Sequence, residues 1–205
     1  MAKNEIKDGV GIIPAVIGKK AFEGATDLTS IVIPDSVTVI EESAFKGCIG
    51  LTSIVIPNSV KRIKDEAFSG CTGLTSIVIG KSVTEIGCGA FKGCTGLTSI
   101  VIPDSVKWIR GWDVEGGAFE GCTGLQSIVI GNSVKRIREC AFDGCTNLKA
   151  VYCHVADPSQ IYIERGVNLD GHQATLYVPA GEGVVAAYKK KAVWKKFAAI
   201  KPMEE

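Results

Sequence analysis

The chain has 205 residues and a formal net charge of +1, with 46% hydrophobic and 22% charged residues. This balance is that of an ordinary folded globular protein, and the near-zero charge gives no global reason to expect a nucleic-acid partner or an acidic membrane surface. No apolar run approaches the roughly 18 residues that a membrane-spanning helix needs, so we expect no membrane span.

The first 16 residues, MAKNEIKDGVGIIPAV, contain charges but no signal-peptide core followed by a cleavage site of small residues. Either the protein is cytosolic or the sequence begins after a removed signal. Only Ile12, Ile13 and Pro14 in this segment match the pattern that follows. We therefore predict an N-terminal cap or a degenerate repeat over residues 1–16.

An Ala-Phe pair then recurs at steps of 23, 23, 23, 28 and 23 residues. The pairs are Ala21-Phe22, Ala44-Phe45, Ala67-Phe68, Ala90-Phe91, Ala118-Phe119 and Ala141-Phe142. A fixed period of this length is typical of a solenoid, in which each unit buries its apolar face only against its neighbours. We therefore predict a repeat solenoid of about six 23-residue units over residues 17–153, with a five-residue insertion near residues 110–117.

Each repeat predicts a strand, a return segment and a turn. Ile54 and Ile56 alternate with residues that face the other way, which indicates a short strand with one buried face, and Pro57 ends it. Val60 and Ile63 would point inward from an extended return segment. The Ala-Phe pair would then begin a short helical or coil turn, and stacking would align Leu, Ile and Phe in continuous layers of core.

Five of the eight cysteines occupy one slot, three residues after Phe: Cys48, Cys71, Cys94, Cys122 and Cys145. Stacked equivalents would lie about 4.8 Å apart with parallel side chains, which is poor disulfide geometry. We interpret the column as a ladder of small buried residues. A metal site is the alternative, but the sequence lacks the paired Cys/His spacing of zinc sites. We expect no metal and no cofactor.

The repeat L-x-x-I-x-I-P-x-x-V-x-x-I-x-x-x-A-F-x-x-C resembles the BspA-type, or Treponema pallidum-type, leucine-rich repeat over roughly residues 17–151. The resemblance implies a right-handed solenoid with a parallel β-sheet on its concave side and short helical or coil turns on its convex side. It also implies a bacterial surface or secreted protein, since several members are adhesins, and it brings no catalytic residues. We expect an extracellular or cell-surface location, with the cytoplasm as the alternative.

The repeat pattern fades after Val151, and residues 154–205 predict a small α/β C-terminal cap. Residues 175–178 predict a strand, residues 182–197 an amphipathic helix, and residues 199–201 a last short strand. The terminal unit of a solenoid needs an atypical cover over its exposed core. We expect the chain to be monomeric.

Two features favour partner binding. Strand residues that face away from the core would form an apolar column of Val32, Val55, Val78, Val101 and Val129, which Tyr152 continues. The insertion brings Arg110 and Trp112, and Trp108 lies just before it at a position that is usually polar in other units. The preference of Val for strands explains the column equally well, and an inserted Trp can also fold back over its own loop.

Basic residues recur in register on the return segment: Lys61, Arg62, Lys64, Lys107, Arg110, Lys135, Arg136 and Arg138. Such a stripe could meet a sulfated glycan, an acidic protein or nucleic acid. Glu85 interrupts it, and acidic residues are spread among the other units. The interpretation that we favour at this point is a solvated face.

Residues suited to catalysis are few. The two histidines, His154 and His172, belong to no nucleophile or metal motif, and the glycines of GCTGLTS follow the repeat period instead of forming a phosphate loop. We predict a non-catalytic module that binds a protein or glycan partner over a rigid, preformed surface. The alternatives are a passive spacer of a larger surface protein and a sulfated-glycan binder that uses the basic stripe.

Overall fold

The computed structural model describes residues 16–112, 116–138, 140–163 and 173–204, with the backbone but not the side chain of Trp112. The predicted N-terminal cap over residues 1–16 therefore lies outside the described residues, apart from Val16. The same holds for His172.

The chain forms a parallel β-solenoid in which the repeats contribute four-residue and two-residue strands that pair with their equivalents in neighbouring coils. In chain order the strands are β1 (Val16–Ile17), β2 (Val39–Ile40), β3 (Ser53–Ile56), β4 (Arg62–Ile63), β5 (Ser76–Ile79), β6 (Glu85–Ile86), β7 (Ser99–Ile102), β8 (Trp108–Ile109), β9 (Gly111–Trp112), β10 (Gly116–Gly117), β11 (Ser127–Ile130), β12 (Arg136–Ile137), β13 (Ala150–Cys153), β14 (Tyr162–Ile163), β15 (Thr175–Val178) and β16 (Ala199–Pro202).

The four-residue strands confirm the predicted alternation. In β3, β5 and β7 the sequence Ser-Ile-Val-Ile is exposed, buried, exposed, buried. Strands β7, β11, β13, β15 and β16 form one parallel sheet, and β3 pairs with β5 in a second. Each Ser, Ile and Val pairs with its own equivalent, as Val55 does with Val78. Register is fixed because a slip of one residue would turn every Ile toward solvent.

The return segments form a second sheet that the sequence analysis did not predict. Strands β1, β2, β4, β6, β8, β12 and β14 pair in parallel, in that order. In the middle units the second residue of each strand is fully buried, for example Ile63 and Ile86. Each coil passes the same point with the same inward Ile, so equivalent segments meet in register and their backbone groups pair.

The Phe ladder is confirmed. Successive Phe rings stack with centroids 5.0–5.5 Å apart and planes within 10° of parallel. The segment around each Phe is a run of hydrogen-bonded turns, in agreement with the predicted short helical or coil turns. The amide of Phe45 donates to the carbonyl of Ala67 in the next coil at 2.7 Å. Gly70 ends its turn at φ +72°, a left-handed conformation that glycine adopts without strain.

The five in-register cysteines are free and buried, as predicted. Each thiol also donates to the carbonyl of the Phe one repeat earlier, at 3.0–3.2 Å. Burial raises the pKa of Cys94 and of Cys145 to about 12. These thiols are therefore protonated at neutral pH and lack the thiolate that reactive cysteines need.

The C-terminal segment differs from its prediction in one element. Residues 182–197 are not one helix: they form α1 (Val184–Lys190) and a 3₁₀ helix (Ala192–Lys196), separated by Lys191 in an extended conformation. The break lets both Tyr188 and Trp194 turn inward, and Tyr188 donates to the carbonyl of Val155 at 2.6 Å. A second 3₁₀ helix spans Pro158–Gln160.

The predicted strands of this segment are present as β15 and β16, and they extend the long-strand sheet directly from β13. The sheet therefore crosses the predicted boundary at residue 154. The division of the chain into a solenoid and a separate cap stays a prediction.

Candidate binding faces

The long-strand face includes two outward columns. One holds the serines that open the strands, such as Ser53, Ser76 and Ser99. The other is an apolar row of Val32, Val55, Val78, Val101, Val129, Tyr152 and Tyr177. Four of the valines are strongly exposed, with Val32 at 85%, Val55 at 61%, Val78 at 55% and Val101 at 59%. Val129 and Tyr152 are half-buried. The row is apolar along its whole length because each strand places the same Val at the same outward position.

The apolar row includes an aromatic pair, beyond which Lys201 of β16 continues the column. The rings of Tyr152 and Tyr177 stack with centroids 4.8 Å apart, because β13 and β15 pair in register. The sequence analysis named Tyr152 and missed Tyr177. The signal was the alternation of Thr-Leu-Tyr-Val, which places Tyr177 on the outward face of its strand.

The short-strand face consists of the first residues of β4, β6, β8, β12 and β14: Arg62, Glu85, Trp108, Arg136 and Tyr162. The equivalent residue of β2, Val39, is buried. Unlike the valine row, this column changes at nearly every step. Trp108 is 40% exposed and Tyr162 is 55% exposed. The guanidinium of Arg136 lies over the ring of Tyr162, 4.9 Å from its centroid, which is cation–π geometry.

Glu85 and Arg110 form an ion pair across adjacent coils. The side chain of Glu85 is only 16% exposed, whereas that of Arg110 is 44% exposed. The carboxylate is therefore largely covered by its partner. The sequence analysis treated Glu85 as an interruption of the basic stripe, but the structure shows that the neighbouring coil neutralises it.

The insertion begins and ends in a small antiparallel ribbon. Gly111 pairs with Gly117, and Trp112 pairs with Gly116. A Cβ atom on Gly117 would lie 1.7 Å from the carbonyl oxygen of Cys140, so no side chain fits there. Its amide donates to the carboxylate of Glu120 at 3.0 Å. The insertion therefore leaves and rejoins the coil through an antiparallel ribbon that the sequence analysis did not predict, while residues 113–115 lie outside the described residues.

The predicted partner-binding residues do not form one site. Val55, Val78, Val101, Val129 and Tyr152 lie on the long-strand face, whereas Trp108 and Arg110 lie on the short-strand side. The side chain of Trp112 lies outside the described residues. The structure therefore offers two faces of different chemistry, one apolar and one charged and aromatic.

Groups suited to other functions are sparse in the described part of the chain. It contains no cluster of three or more His, Cys, Asp or Glu residues that could hold a metal ion. Nor does it contain a helix of sufficient length and apolarity to cross a membrane. His154 is exposed.

The chain is similar to several solved structures of bacterial proteins. The chain is 26% identical to a leucine-rich repeat protein from Bacteroides ovatus (TM-score 0.54), over 91% of this chain and 55% of that one. It is 28% identical to the T. pallidum leucine-rich repeat protein (TM-score 0.52), over 78% and 74% of the two chains. The chain is 18% identical to the pneumococcal vaccine antigen PcpA (TM-score 0.63), over 84% of this chain and 40% of that one. At this identity the likeness shows the fold alone.

The chain thus spans about half the length, or less, of the Bacteroides ovatus protein and of PcpA. The comparison with curated proteins gives no match. The model of the BspA type leucine rich repeat region matches residues 15–149 in six copies, which agrees with the six Ala-Phe pairs. With the stacked coils and the ladders of identical residues, this match shows that the chain belongs to the BspA-type leucine-rich repeat family.

Proposed function

We propose that this chain is a non-catalytic binding module of a bacterial surface or secreted protein, and that its long-strand face holds a host or microbial protein partner. The observation that carries the proposal is the exposed apolar row of Val32, Val55, Val78 and Val101. Contiguous apolar rows on a folded surface mark interaction sites. A partner that covers this row would remove apolar surface from water, which is the main favourable term in protein association.

The long-strand face is suited to binding because it is held rigidly. Its strands pair in register, and the Phe ladder and Cys ladder fix the interior of each coil. A preformed surface loses little conformational freedom on binding, so more of the interaction energy appears as affinity. Tyr152 and Tyr177 supply a stacked aromatic anchor at one end of the row.

The proposed location is supported by the family. The sequence resemblance is to bacterial surface and secreted proteins, and PcpA, which shares the fold, is described as a vaccine antigen. A role for Trp108, Arg110 and Trp112 in the same protein contact stays a prediction, because the first two lie on the other face.

The proposal is tested by screening the purified chain against a panel of extracellular-matrix proteins. The key variant is Val55→Thr/Val78→Thr/Val101→Thr, which keeps β-branched side chains in the strands and removes the apolar row. The matched control is Thr72→Val/Thr95→Val/Thr123→Val, which changes three exposed turn residues in three repeats. Trp108→Ala, run beside them, reports whether the short-strand face contributes.

We expect saturable binding of at least one panel protein by the wild-type chain, a loss of about tenfold or more in the key variant, and no loss in the control. A folded wild-type chain that binds no panel protein, or a key variant that binds as well as wild type, would overturn the proposal. The first of these outcomes would support the alternative of a passive spacer module.

A further inference from the structure

We propose that the short-strand face is a second and separate binding surface, and that its occupant is a linear sulfated polysaccharide lying along the solenoid axis. This inference goes beyond the proposed protein contact because it concerns the other face and different residues. The observation that motivates it is a concentration of positive charge in a chain that is nearly neutral overall.

The charge asymmetry is large. The chain has 23 Lys and Arg against 22 Asp and Glu. The short-strand segments of four successive units, residues 61–64, 84–87, 107–110 and 135–138, hold eight basic residues and one acidic residue. The basic residues are Lys61, Arg62, Lys64, Lys107, Arg110, Lys135, Arg136 and Arg138. The single acid, Glu85, is paired with Arg110 and largely covered. The stripe is therefore continuous in sign.

Several of these cations are available to a ligand. Four exposed ones have no carboxylate partner among the described residues: Lys61, Arg62, Lys107 and Arg136. Lys135 is exposed as well, and its ammonium group donates only to the amide oxygen of Gln160, at 3.3 Å. An anion can bind these groups without first displacing an internal carboxylate.

One of the cations is already oriented. The ring of Tyr162 supports the guanidinium of Arg136 at 4.9 Å, which restricts the long side chain and leaves its N–H edges for a ligand. A guanidinium presents a planar fork of donors that matches the oxygens of a sulfate or carboxylate group. Lys135 precedes it in the same coil, and Lys107 lies in the adjacent coil, since the amide of Lys135 donates to the carbonyl of Lys107 at 2.8 Å.

The shape of the stripe favours an extended chain as the occupant. Parallel strands lie about 4.8 Å apart, so the three strand steps from β4 to β12 span about 14 Å. Cations lie in the coils of β4, β8 and β12, and the intervening coil of β6 carries the paired Glu85. A protein partner would need an apolar centre for its interface. The large apolar groups in this outward column are Trp108 and Tyr162, which lie among cations, so the column favours a protein partner less than a polyanion. Single-stranded nucleic acid would need open ring faces for base stacking, and Arg136 already occupies one face of Tyr162.

The test uses heparin as the sulfated probe, with desulfated heparin and poly-glutamate as comparison ligands, at about 50 and 200 mM salt. The variant Lys135→Ala/Arg136→Ala removes the oriented guanidinium and its neighbour. The control Lys189→Ala/Lys190→Ala removes the same charge from exposed positions on α1. We expect the first variant to lower heparin affinity about tenfold and to reduce the salt slope by about two, and the control to do neither.

A variant that should bind heparin more tightly is included, because misfolding can lower affinity but does not raise it. Glu85→Gln removes the one carboxylate of the stripe and frees Arg110, so heparin affinity should rise about threefold at low salt. The proposal is overturned if the control loses as much affinity as the stripe variant, if Glu85→Gln binds more weakly than wild type, or if poly-glutamate or desulfated heparin binds as tightly as heparin. A wild-type chain that shows no saturable heparin binding overturns it as well.

Discussion

The two faces of the solenoid differ in how faithfully the repeat has been copied onto them. The long-strand face carries Val at five successive positions, whereas the short-strand face carries Arg62, Glu85, Trp108, Arg136 and Tyr162 at its equivalents. Both faces rest on the same interior of Phe, Leu, Ile and Cys ladders. The interior fixes the inward residues and leaves the outward residues free to vary, so the variable face is where a distinct ligand preference can be encoded.

The largest expected effect comes from a substitution in the interior that supports both faces. Phe68→Ala deletes a fully buried ring from the middle of the ladder and should lower the free energy of unfolding by about 3–5 kcal/mol. Phe22→Ala, at a half-buried position, should cost clearly less because its ring has lost less contact with water. Urea unfolding followed by circular dichroism measures both. Equal decreases in the free energy of unfolding for the two variants would contradict the view that the Phe ladder supports both faces.

Two glycine substitutions test how closely successive coils approach each other just before β5, on the long-strand side. A Cβ on Gly73 would lie 2.2 Å from the carbonyl oxygen of Ile49, so Gly73→Ala should destabilise the fold by about 3 kcal/mol. Gly70→Ala meets nothing closer than 3.8 Å but must hold φ near +72°, which should cost about 1–2 kcal/mol. Thermal unfolding ranks the two, and a reversed order would show that the coils are not so closely packed there.

The shared interior should also lose stability at alkaline pH. Burial raises the pKa of Cys94 and of Cys145 to about 12, above the value of about 8.5 for an unfolded thiol. The unfolded chain therefore releases thiol protons first, and stability that is full below about pH 8.5 is lost as the pH rises toward 12. The urea midpoint of the wild-type chain should fall from pH 8 to pH 10. The midpoint of the variant Cys94→Ala/Cys145→Ala should fall less steeply over the same range. Parallel slopes for the two proteins would contradict this account.

The smallest effect concerns the valine row itself. Val101 is 59% exposed, so Val101→Thr should change the free energy of unfolding by less than about 0.5 kcal/mol. Ile100→Thr, next to it but 2% exposed, should cost about 1–3 kcal/mol because it buries a hydroxyl group. Equal costs in a urea titration would mean that the row serves the fold, and the proposed protein contact would lose its basis.

Much of the fold could be predicted because the repeat is so regular. The alternation in Ser-Ile-Val-Ile and the fixed period placed the long strands, the Phe ladder and the Cys ladder correctly. The short-strand sheet was missed because its strands are two residues long, too short for an alternating pattern to indicate pairing. The helix predicted over residues 182–197 was too long because periodicity alone cannot show that Lys191 breaks it so that Trp194 can turn inward.

The binding faces were predicted only in part. The valine row and Trp108 follow from register within the repeats. Tyr162 and Tyr177 lie after the point where the spacing departs from the 23-residue period, so the period does not assign their columns. For Tyr177 the alternation of Thr-Leu-Tyr-Val indicates the outward face of its strand but not its neighbour Tyr152. The pairing of Glu85 with Arg110 depends on the direction of two side chains across neighbouring coils, which a sequence pattern does not define.

The central claim is that the two faces bind different partners independently. The most direct measurement compares wild type, Val55→Thr/Val78→Thr/Val101→Thr and Lys135→Ala/Arg136→Ala for binding to a matrix protein from the panel and to heparin. The account predicts a crossed result, in which the first variant loses only the protein and the second loses only heparin. Loss of both ligands in either variant, or of neither in both, would contradict it.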